Sequence, residues 1–190
     1  AKDMARVAID ITESRQLGLT IQPPNINTSQ AAFSGSDSTI FYGLMSIKNM
    51  SANLAEAIYQ ERLASGPYTS LEDFLQRIPA KELNKKNLES LIKSGALDTL
   101  EPRHILIHNI ENILIHVKKY GEVTDHIPQN SLFGAAPITK PTLTLELVEY
   151  SPKELLDQKL ELENFYLGLW ISAHPIDEYK EILEDPVFPT

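Results

Sequence analysis

Two histidines and a glutamate are the first candidates for chemistry. His104 and His108 lie four residues apart, and Glu111 follows on the next turn of the same expected helix. Two histidines at this spacing can share a metal ion. No supporting hydrogen-bond partner is evident, so surface residues beside an apolar stripe are the favoured interpretation. The sequence also lacks glycine-rich phosphate loops, HExxH and Gly-x-Ser-x-Gly. We therefore predict neither a metal site nor a catalytic residue here.

Two helix–turn–helix segments, 44–66 and 70–95, are the candidates for binding phosphate. The N–H groups at the start of the second helix of such a hairpin point towards an anion. Lys48, Lys85 and Lys86 lie near the two turns and would add positive charge. This pattern predicts a sequence-independent grip on the backbone of a nucleic-acid duplex. The alternative is a small helical bundle without a ligand, which the acidity of the chain favours on composition alone.

A short peptide in a proline-rich stretch is the candidate for binding a protein. Residues 121–152 contain four prolines and show no helical period. Within them, Leu132 and Phe133 are adjacent and have few neighbours in sequence that could bury them. Such a pair suits docking into a pocket on a partner, although the pair could instead fold back onto this protein's own helices.

The net charge and the composition limit the classes of protein to which this chain could belong. The 190 residues carry a net charge of −9, of which −8 falls in residues 101–190. A nucleic-acid contact must therefore come from the first half and from local geometry. The chain has no cysteine, no apolar run long enough to cross a membrane and no apolar leader, which fits a cytoplasmic protein. Because it begins with Ala1, we expect a fragment of a longer chain.

The fold class predicted from periodicity is mainly α, with short helices, minor β content, a proline-rich linker and a C-terminal helix. Helices are predicted over residues 4–17, 52–65, 71–78, 84–95, 103–120 and 151–171. Their ends carry the expected capping residues, namely Ser51, Gly66, Ser70, Asn84, Gly95 and Ser151. Short strands are predicted over residues 39–44 and 142–148.

The order of several motifs along the chain resembles one known family. They include PPNIN at 23–27, SGALD at 94–98 and LGLWISAHPIDEY at 167–179. Together they resemble the bacterial C-family replicative DNA polymerases, the polymerase III alpha subunits, over almost the whole chain. The resemblance implies a non-catalytic fragment, because the palm with its magnesium-binding aspartates would lie upstream. No cofactor is expected in the fragment itself.

The resemblance also implies a division of the chain. Residues 1–44 would end the fingers domain, and residues 45–120 would form a tandem helix-hairpin-helix module with a following helix. Residues 121–150 would be a linker, and residues 151–190 would lead to an OB-fold domain that the chain lacks. Duplex DNA, the sliding clamp and other replisome subunits are the implied partners, and no membrane is expected.

The resemblance assigns site residues to both contacts. The DNA-binding positions are Lys48, Asn49, Met50, Ser51, Asn84, Lys85, Lys86 and Asn87. The clamp-binding positions are Gln129, Asn130, Ser131, Leu132 and Phe133. The first turn departs from the family pattern, which is Gly-hydrophobic-Gly; asparagine tolerates a left-handed backbone fairly well and serine poorly.

Two functions remain to be compared at this point. The first is a DNA-gripping and clamp-tethering segment of a replicative polymerase. The second is a stand-alone helical adaptor that binds proteins and no DNA, which the net charge favours over a free DNA-binding protein. Binding to a non-specific duplex at low salt separates them.

Overall fold

The computed structural model describes residues 18–125 and 142–172, without the side chains of residues 122–125. The predicted helix over residues 4–17 and the peptide 129–133 lie outside the described residues.

A small sheet precedes the helices. Its strands lie in the order β1–β3–β2, with β1 parallel and β2 antiparallel to the central strand. Their bounds are β1 (Thr20–Gln22), β2 (Ser34–Ser36) and β3 (Thr39–Phe41). Ile40 of β3 pairs with Ile21 on one side and with Gly35 on the other.

The strand predicted over residues 39–44 ends earlier, at Phe41. Beyond it the chain packs directly onto another backbone segment at Gly43. A Cβ atom on Gly43 would lie 2.4 Å from the carbonyl carbon of Ala32, so only glycine fits there. Tyr42 is fully buried, and a 3₁₀ turn begins at Leu44.

Two helical hairpins follow, close to the predicted bounds. They consist of the 3₁₀ turn (Leu44–Ser46) with α1 (Ala52–Ser65), and of α2 (Leu71–Arg77) with α3 (Lys85–Ser94). Ser51, Ser70 and Asn84 each accept a hydrogen bond from a backbone N–H in the first turn of the following helix. Gly66 and Gly95 end α1 and α3 with positive φ. These five caps confirm the predicted helix ends.

The single helix predicted over residues 103–120 is wrong, because the chain forms two helices there. They are α4 (Arg103–His108) and α5 (Ile110–Asp125), separated at Asn109. The side-chain amide of the buried Asn109 donates to the carbonyls of Ile105 and Glu146, and its oxygen accepts from the N–H of Glu146. Asparagine offers the backbone an alternative to the helical ladder, which explains the break.

The strand predicted over residues 142–148 is also wrong. The segment 142–150 runs extended across the helices without joining a sheet. Side chains hold it instead: Asn109 pairs with the backbone of Glu146, and Glu72 accepts from the N–H of Leu143. We call this segment the strap. It has no neighbouring strand among the described residues; Leu143 and Leu145 pack against the core, whereas Leu147 is exposed.

The last described helix, α6 (Pro152–Leu167), begins as predicted with a capping box between Ser151 and Glu154. Its last residue, Leu167, lies four residues before the predicted end, and Gly168 caps the helix with φ of 76°. Glu163 explains this stop. Its buried carboxylate accepts from the N–H groups of Ile171 and Ser172, which turn back towards the helix.

Helix α3 lies at the centre of the helical part. It packs against α4, α5 and α6, and its side chains Leu88, Leu91 and Ile92 are fully buried. Helix α6 therefore shares a core with the two hairpins. The mainly α fold class is confirmed. Among the described residues, no helix has the length and apolar character needed to cross a bilayer.

Candidate nucleic-acid interface

The turns of the two hairpins lie side by side. Asn87, in the first turn of α3, accepts from the N–H of Ser51 at 3.1 Å and donates to the Ser51 hydroxyl at 3.1 Å. Ser51 is in turn the N-cap of α1. The N-terminal ends of α1 and α3 are thus brought together, and both present the first-turn N–H groups that anions favour.

The turn of the first hairpin, residues 48–51, forms although its sequence departs from the family pattern Gly-hydrophobic-Gly. Asn49 adopts φ of 68°, the left-handed conformation that glycine usually supplies. Ser51 has φ of −82°, so its side chain causes no strain and remains available as a cap. Lys48 and Asn49 are exposed, whereas Met50 packs partly against the core. The turn therefore has an exposed polar edge over an apolar base.

The second turn forms without any glycine. The N–H groups of Glu82 and Leu83 donate to the carbonyls of Pro79 and Ala80, and all residues of the turn keep negative φ. Leu83 is buried and fixes the turn to the core. After it, the exposed residues Asn84, Lys85 and Lys86 begin α3.

Asn87, one of the predicted DNA-binding positions, is bound within the protein. Its side chain is only 3% exposed and donates to the carbonyl of Glu82 at 2.7 Å as well as to Ser51. All its polar atoms are used within the protein. The side chain therefore acts as a structural tie between the turns, and its contact with DNA stays a prediction.

The three lysines have different surroundings. The ammonium group of Lys48 lies 3.5 Å from the ring centroid of Phe165. Lys85 forms an exposed ion pair with Glu111, and this hydrogen bond raises the pKa of Lys85. Lys86 has no ion pair with any residue that the structure describes. The pairing with Glu111 makes Lys85 the lysine with the most compensated charge.

The three candidate metal ligands, His104, His108 and Glu111, each contact a different residue. His108 contacts the carboxylate of Glu146 at 3.2 Å, and His104 packs edge-on against the ring of Tyr150. Glu111 is engaged with Lys85. Within residues 18–125 and 142–172, no cluster of three or more side chains suitable for a metal occurs.

Charged side chains brace the connection between the hairpins. Arg77 donates to the carboxylates of Glu61 and Asp73 and to the carbonyl of Gly66, and it lies 4.3 Å from the ring of Tyr68. Burial alone would raise the pKa of Asp73, but hydrogen bonds from Thr69 and Arg77 outweigh it and lower the pKa. The hairpins are thus joined at both ends, by Arg77 here and by Asn87 at the turns.

Sequence reasoning missed three features of this surface. The sequence did not indicate the ion pair of Glu111 with Lys85 or the hydrogen bonds of Asn87 to Ser51. It also gave Phe165 no role, although its ring contacts Lys48. An isolated asparagine in a first helical turn gives no sign of a partner 36 residues away. Only the periodicity of α6, which leaves Phe165 outside the apolar stripe, could have marked that residue.

Two short helical hairpins with adjoining N-terminal turns have the form of a helix-hairpin-helix module. Residues 18–105 match the family described as a helix-hairpin-helix motif. Over most of its length the chain is also similar to DNA polymerase III alpha subunits. The chain is 40% identical over 92% of its length to DNA polymerase III subunit alpha of Borreliella burgdorferi, and 36% identical over 96% to that of Thermus aquaticus. The protein of Treponema pallidum is 34% identical over 94% of the chain.

These relatives are much longer than the chain, which spans only 14–15% of their length. The resemblance to DNA polymerase III alpha subunits is therefore confirmed for one segment of those proteins. The clamp-binding positions 129–133 lie outside the described residues and stay a prediction.

Proposed function

We propose that this chain is the segment of a DNA polymerase III alpha subunit that grips the backbone of duplex DNA. The observation that carries the proposal is the side-by-side arrangement of the two turns, fixed by Asn87 and Ser51. The match to the helix-hairpin-helix family and to the alpha subunits supports it. Two adjacent helix starts can bind phosphates on neighbouring parts of a duplex.

The contacts would be electrostatic and independent of sequence. Backbone N–H groups of both turns would bind phosphate oxygens, and Lys48, Lys85 and Lys86 would add charge. Because the whole chain carries a net charge of −9, long-range attraction cannot drive the encounter. Local geometry must do so, and we expect weak affinity for the isolated chain compared with a polymerase that holds DNA through several domains.

A second role would be to tether the sliding clamp. Gln129 would open the clamp-binding peptide, and Leu132 and Phe133 would enter an apolar pocket on the clamp. A tether turns a weak peptide contact into a high effective concentration, which supports processive synthesis. This part of the proposal rests on the sequence of residues 129–133 and on the relatives' family.

The activity of the whole protein would be template-directed DNA synthesis in the cytoplasm with magnesium, carried out by parts outside this chain and together with other replisome subunits. The chain alone would be inactive. The alternative function, a helical adaptor that binds proteins and no DNA, remains to be separated by experiment.

The experiment that separates them is a salt titration of duplex binding. A fluorescent 20-base-pair duplex of arbitrary sequence is titrated with the chain, followed by anisotropy, between about 20 and 150 mM salt. We expect the Lys48→Met, Lys86→Met double variant to bind more weakly and with a shallower salt dependence. The matched control, Lys119→Met with Lys153→Met, removes the same charge from exposed positions on α5 and α6. Equal losses in both variants, or no binding by the unaltered chain, would contradict a grip at the turns.

The clamp contact is tested with an immobilised bacterial sliding clamp. We expect saturable binding by the unaltered chain and none by the Leu132→Ala, Phe133→Ala double variant. Because the pair lies far in sequence from the turns, this variant should keep its duplex affinity. If clamp binding survives the double substitution, the assignment of residues 129–133 is wrong.

A further inference from the structure

The exposed ring of Phe165 lies against the first DNA-facing turn. Phe165 belongs to the last turn of α6 and is 50% exposed. Its ring centroid lies 3.5 Å from the ammonium nitrogen of Lys48, more than 110 residues away in sequence. The ring of Tyr166 packs edge-on against it at 4.9 Å and steadies its orientation.

The backbone of α6 is fastened to the same turn. The N–H of Lys48 donates to the carbonyl of Tyr166 at 2.9 Å. The hydroxyl of the fully buried Tyr42 donates to the carbonyl of Leu167 at 3.0 Å, and the carbonyl of Ser46 lies 3.2 Å from the same hydroxyl oxygen. These hydrogen bonds to backbone atoms fix the end of α6 relative to the turn of the first hairpin. This fixed arrangement places the side chain of Lys48 over the ring of Phe165.

We propose that Phe165 is a positioning residue for Lys48, which makes the end of α6 a third part of the DNA-gripping surface. The inference rests on the proposed function, since it assigns a role within that grip. It adds a residue that lies outside both hairpins and outside residues 18–105, the part of the chain that matches the helix-hairpin-helix family.

An aromatic partner affects the charge of Lys48 differently from a carboxylate partner. A carboxylate partner, as Glu111 is for Lys85, compensates the ammonium group before phosphate arrives. An aromatic ring attracts the ammonium through its quadrupole and leaves the full positive charge in place. The ring covers one side of the group, so the remaining N–H donors stay available to phosphate oxygens. A long, flexible lysine chain is thereby ordered before binding, which reduces the entropy lost on contact.

The opposite possibility is that the ring holds Lys48 away from DNA. The two possibilities predict opposite signs. If Phe165 positions Lys48, removing the ring weakens duplex binding. If Phe165 withholds Lys48, removing the ring strengthens it.

The test is a double-mutant cycle on the duplex titration. Phe165→Leu is measured in the unaltered chain and in the Lys48→Met background, with Phe165→Tyr as the conservative variant. We expect Phe165→Leu to weaken binding about two- to fivefold. We expect no effect when Lys48 is already methionine, and we expect Phe165→Tyr to restore the affinity. Because Phe165 is half-exposed, the leucine variant should remain folded, which circular dichroism verifies.

Proton NMR of Lys48 gives a readout independent of DNA. In the free chain the methylene protons beside the ammonium group should be shifted upfield by the ring, and the shift should vanish in Phe165→Leu. An unaltered or stronger affinity of Phe165→Leu, in a chain that itself binds duplex, would overturn the positioning role while leaving the grip intact. Absence of duplex binding by the unaltered chain would instead overturn the proposed function and this inference with it.

Discussion

Asn87 and Ser51 hydrogen-bond to each other twice, and through this pair the first turns of α1 and α3 become one unit. The same Asn87 side chain also donates to the carbonyl of Glu82, so it closes its own turn while it joins the other. A single buried amide thus fixes the relative position of two helix starts. In the proposed grip, this side chain would help to set the spacing between the phosphates that the two helix starts bind.

Replacing Asn87 with alanine should destabilise the fold by about 2–3 kcal/mol, because it leaves the N–H of Ser51 and the carbonyl of Glu82 without their partner in a buried place. Urea denaturation followed by circular dichroism measures the free energy of unfolding. Duplex binding should weaken as well, since the two turns lose their fixed separation.

The control for this variant is Asn84→Ala. Asn84 caps the same helix through the N–H of Asn87, but it is exposed. Its loss should cost only about 1 kcal/mol. If Asn87→Ala is no more destabilising than Asn84→Ala, the tie between the turns contributes little and the packing of α3 alone sets their position.

The sequence allowed the hairpins to be predicted because their signals are local. Ser51, Ser70 and Asn84 each precede an apolar helical pattern, and Gly66 and Gly95 follow one. Each signal acts within about four residues of itself. The backbone geometry at Asn49 could likewise be anticipated, since asparagine is the usual substitute for glycine at positive φ.

The errors came from contacts between distant parts of the chain. The break at Asn109 depends on the backbone of Glu146, 37 residues away, and the periodicity of α4 and α5 gives no hint of it. The strap alternates like a strand, yet Leu143 and Leu145 pack against the core, Leu147 is exposed, and the strap joins no sheet in the part of the chain that the structure describes. The stacking of Lys48 on Phe165 is likewise a contact between residues that lie far apart in the sequence. Local patterns define where elements begin, whereas side chains that pair across the fold decide where some of them stop.

Glu111→Gln should strengthen duplex binding about two- to threefold at low salt. The substitution removes the carboxylate that pairs with Lys85 and frees this ammonium group for phosphate. The expected gain should fade as salt is raised, because the groups are exposed. Anisotropy titration of the fluorescent duplex measures it.

The matched control is Glu149→Gln, which changes the net charge equally at an exposed position of the strap. The change in duplex affinity of this control variant therefore measures the effect of net charge alone. Equal gains in the two variants would show that Glu111 acts only through net charge and that its contact with Lys85 is irrelevant to DNA.

Arg77→Met should destabilise the fold by about 2 kcal/mol at pH 7, and by less in acid. The substitution removes donors to Glu61, Asp73 and the carbonyl of Gly66. The hydrogen bond from Ser65 and that from Arg77 lower the pKa of Glu61.

The sign of the pH effect follows from that lowering. A carboxyl group whose pKa is lower in the folded state contributes stability at pH values above its unfolded pKa and loses it as the pH falls through the folded pKa. The difference in unfolding free energy between the unaltered chain and Arg77→Met should therefore be constant near pH 7 and shrink below about pH 4. A difference that does not change with pH would mean that the carbonyl contacts of Arg77 carry the whole effect.

Gly95 and Gly66 both end a helix with positive φ, 84° and 82°, although ψ is 10° at Gly95 and −177° at Gly66. Their surroundings differ. A Cβ atom on Gly66 would meet nothing within 4 Å, whereas one on Gly95 would lie 1.8 Å from Nη2 of Arg103. That guanidinium is buried and bound to Asp98 at 2.7 Å.

Gly66→Ala should cost about 1–3 kcal/mol, because φ of 82° with ψ of −177° is a backbone conformation that essentially only glycine adopts. Gly95→Ala should cost about 3 kcal/mol or more, since it also displaces Arg103 and leaves Asp98 without its partner. Urea denaturation of both variants measures the difference. In an Arg103→Ala background only Oδ2 of the Asp98 side chain, at 2.9 Å, still crowds that Cβ atom, so there Gly95→Ala should cost only about 1–2 kcal/mol, as expected for a left-handed alanine. If the excess cost persists without the guanidinium, it arises from the backbone of α3 and the close approach of Arg103 is not its cause.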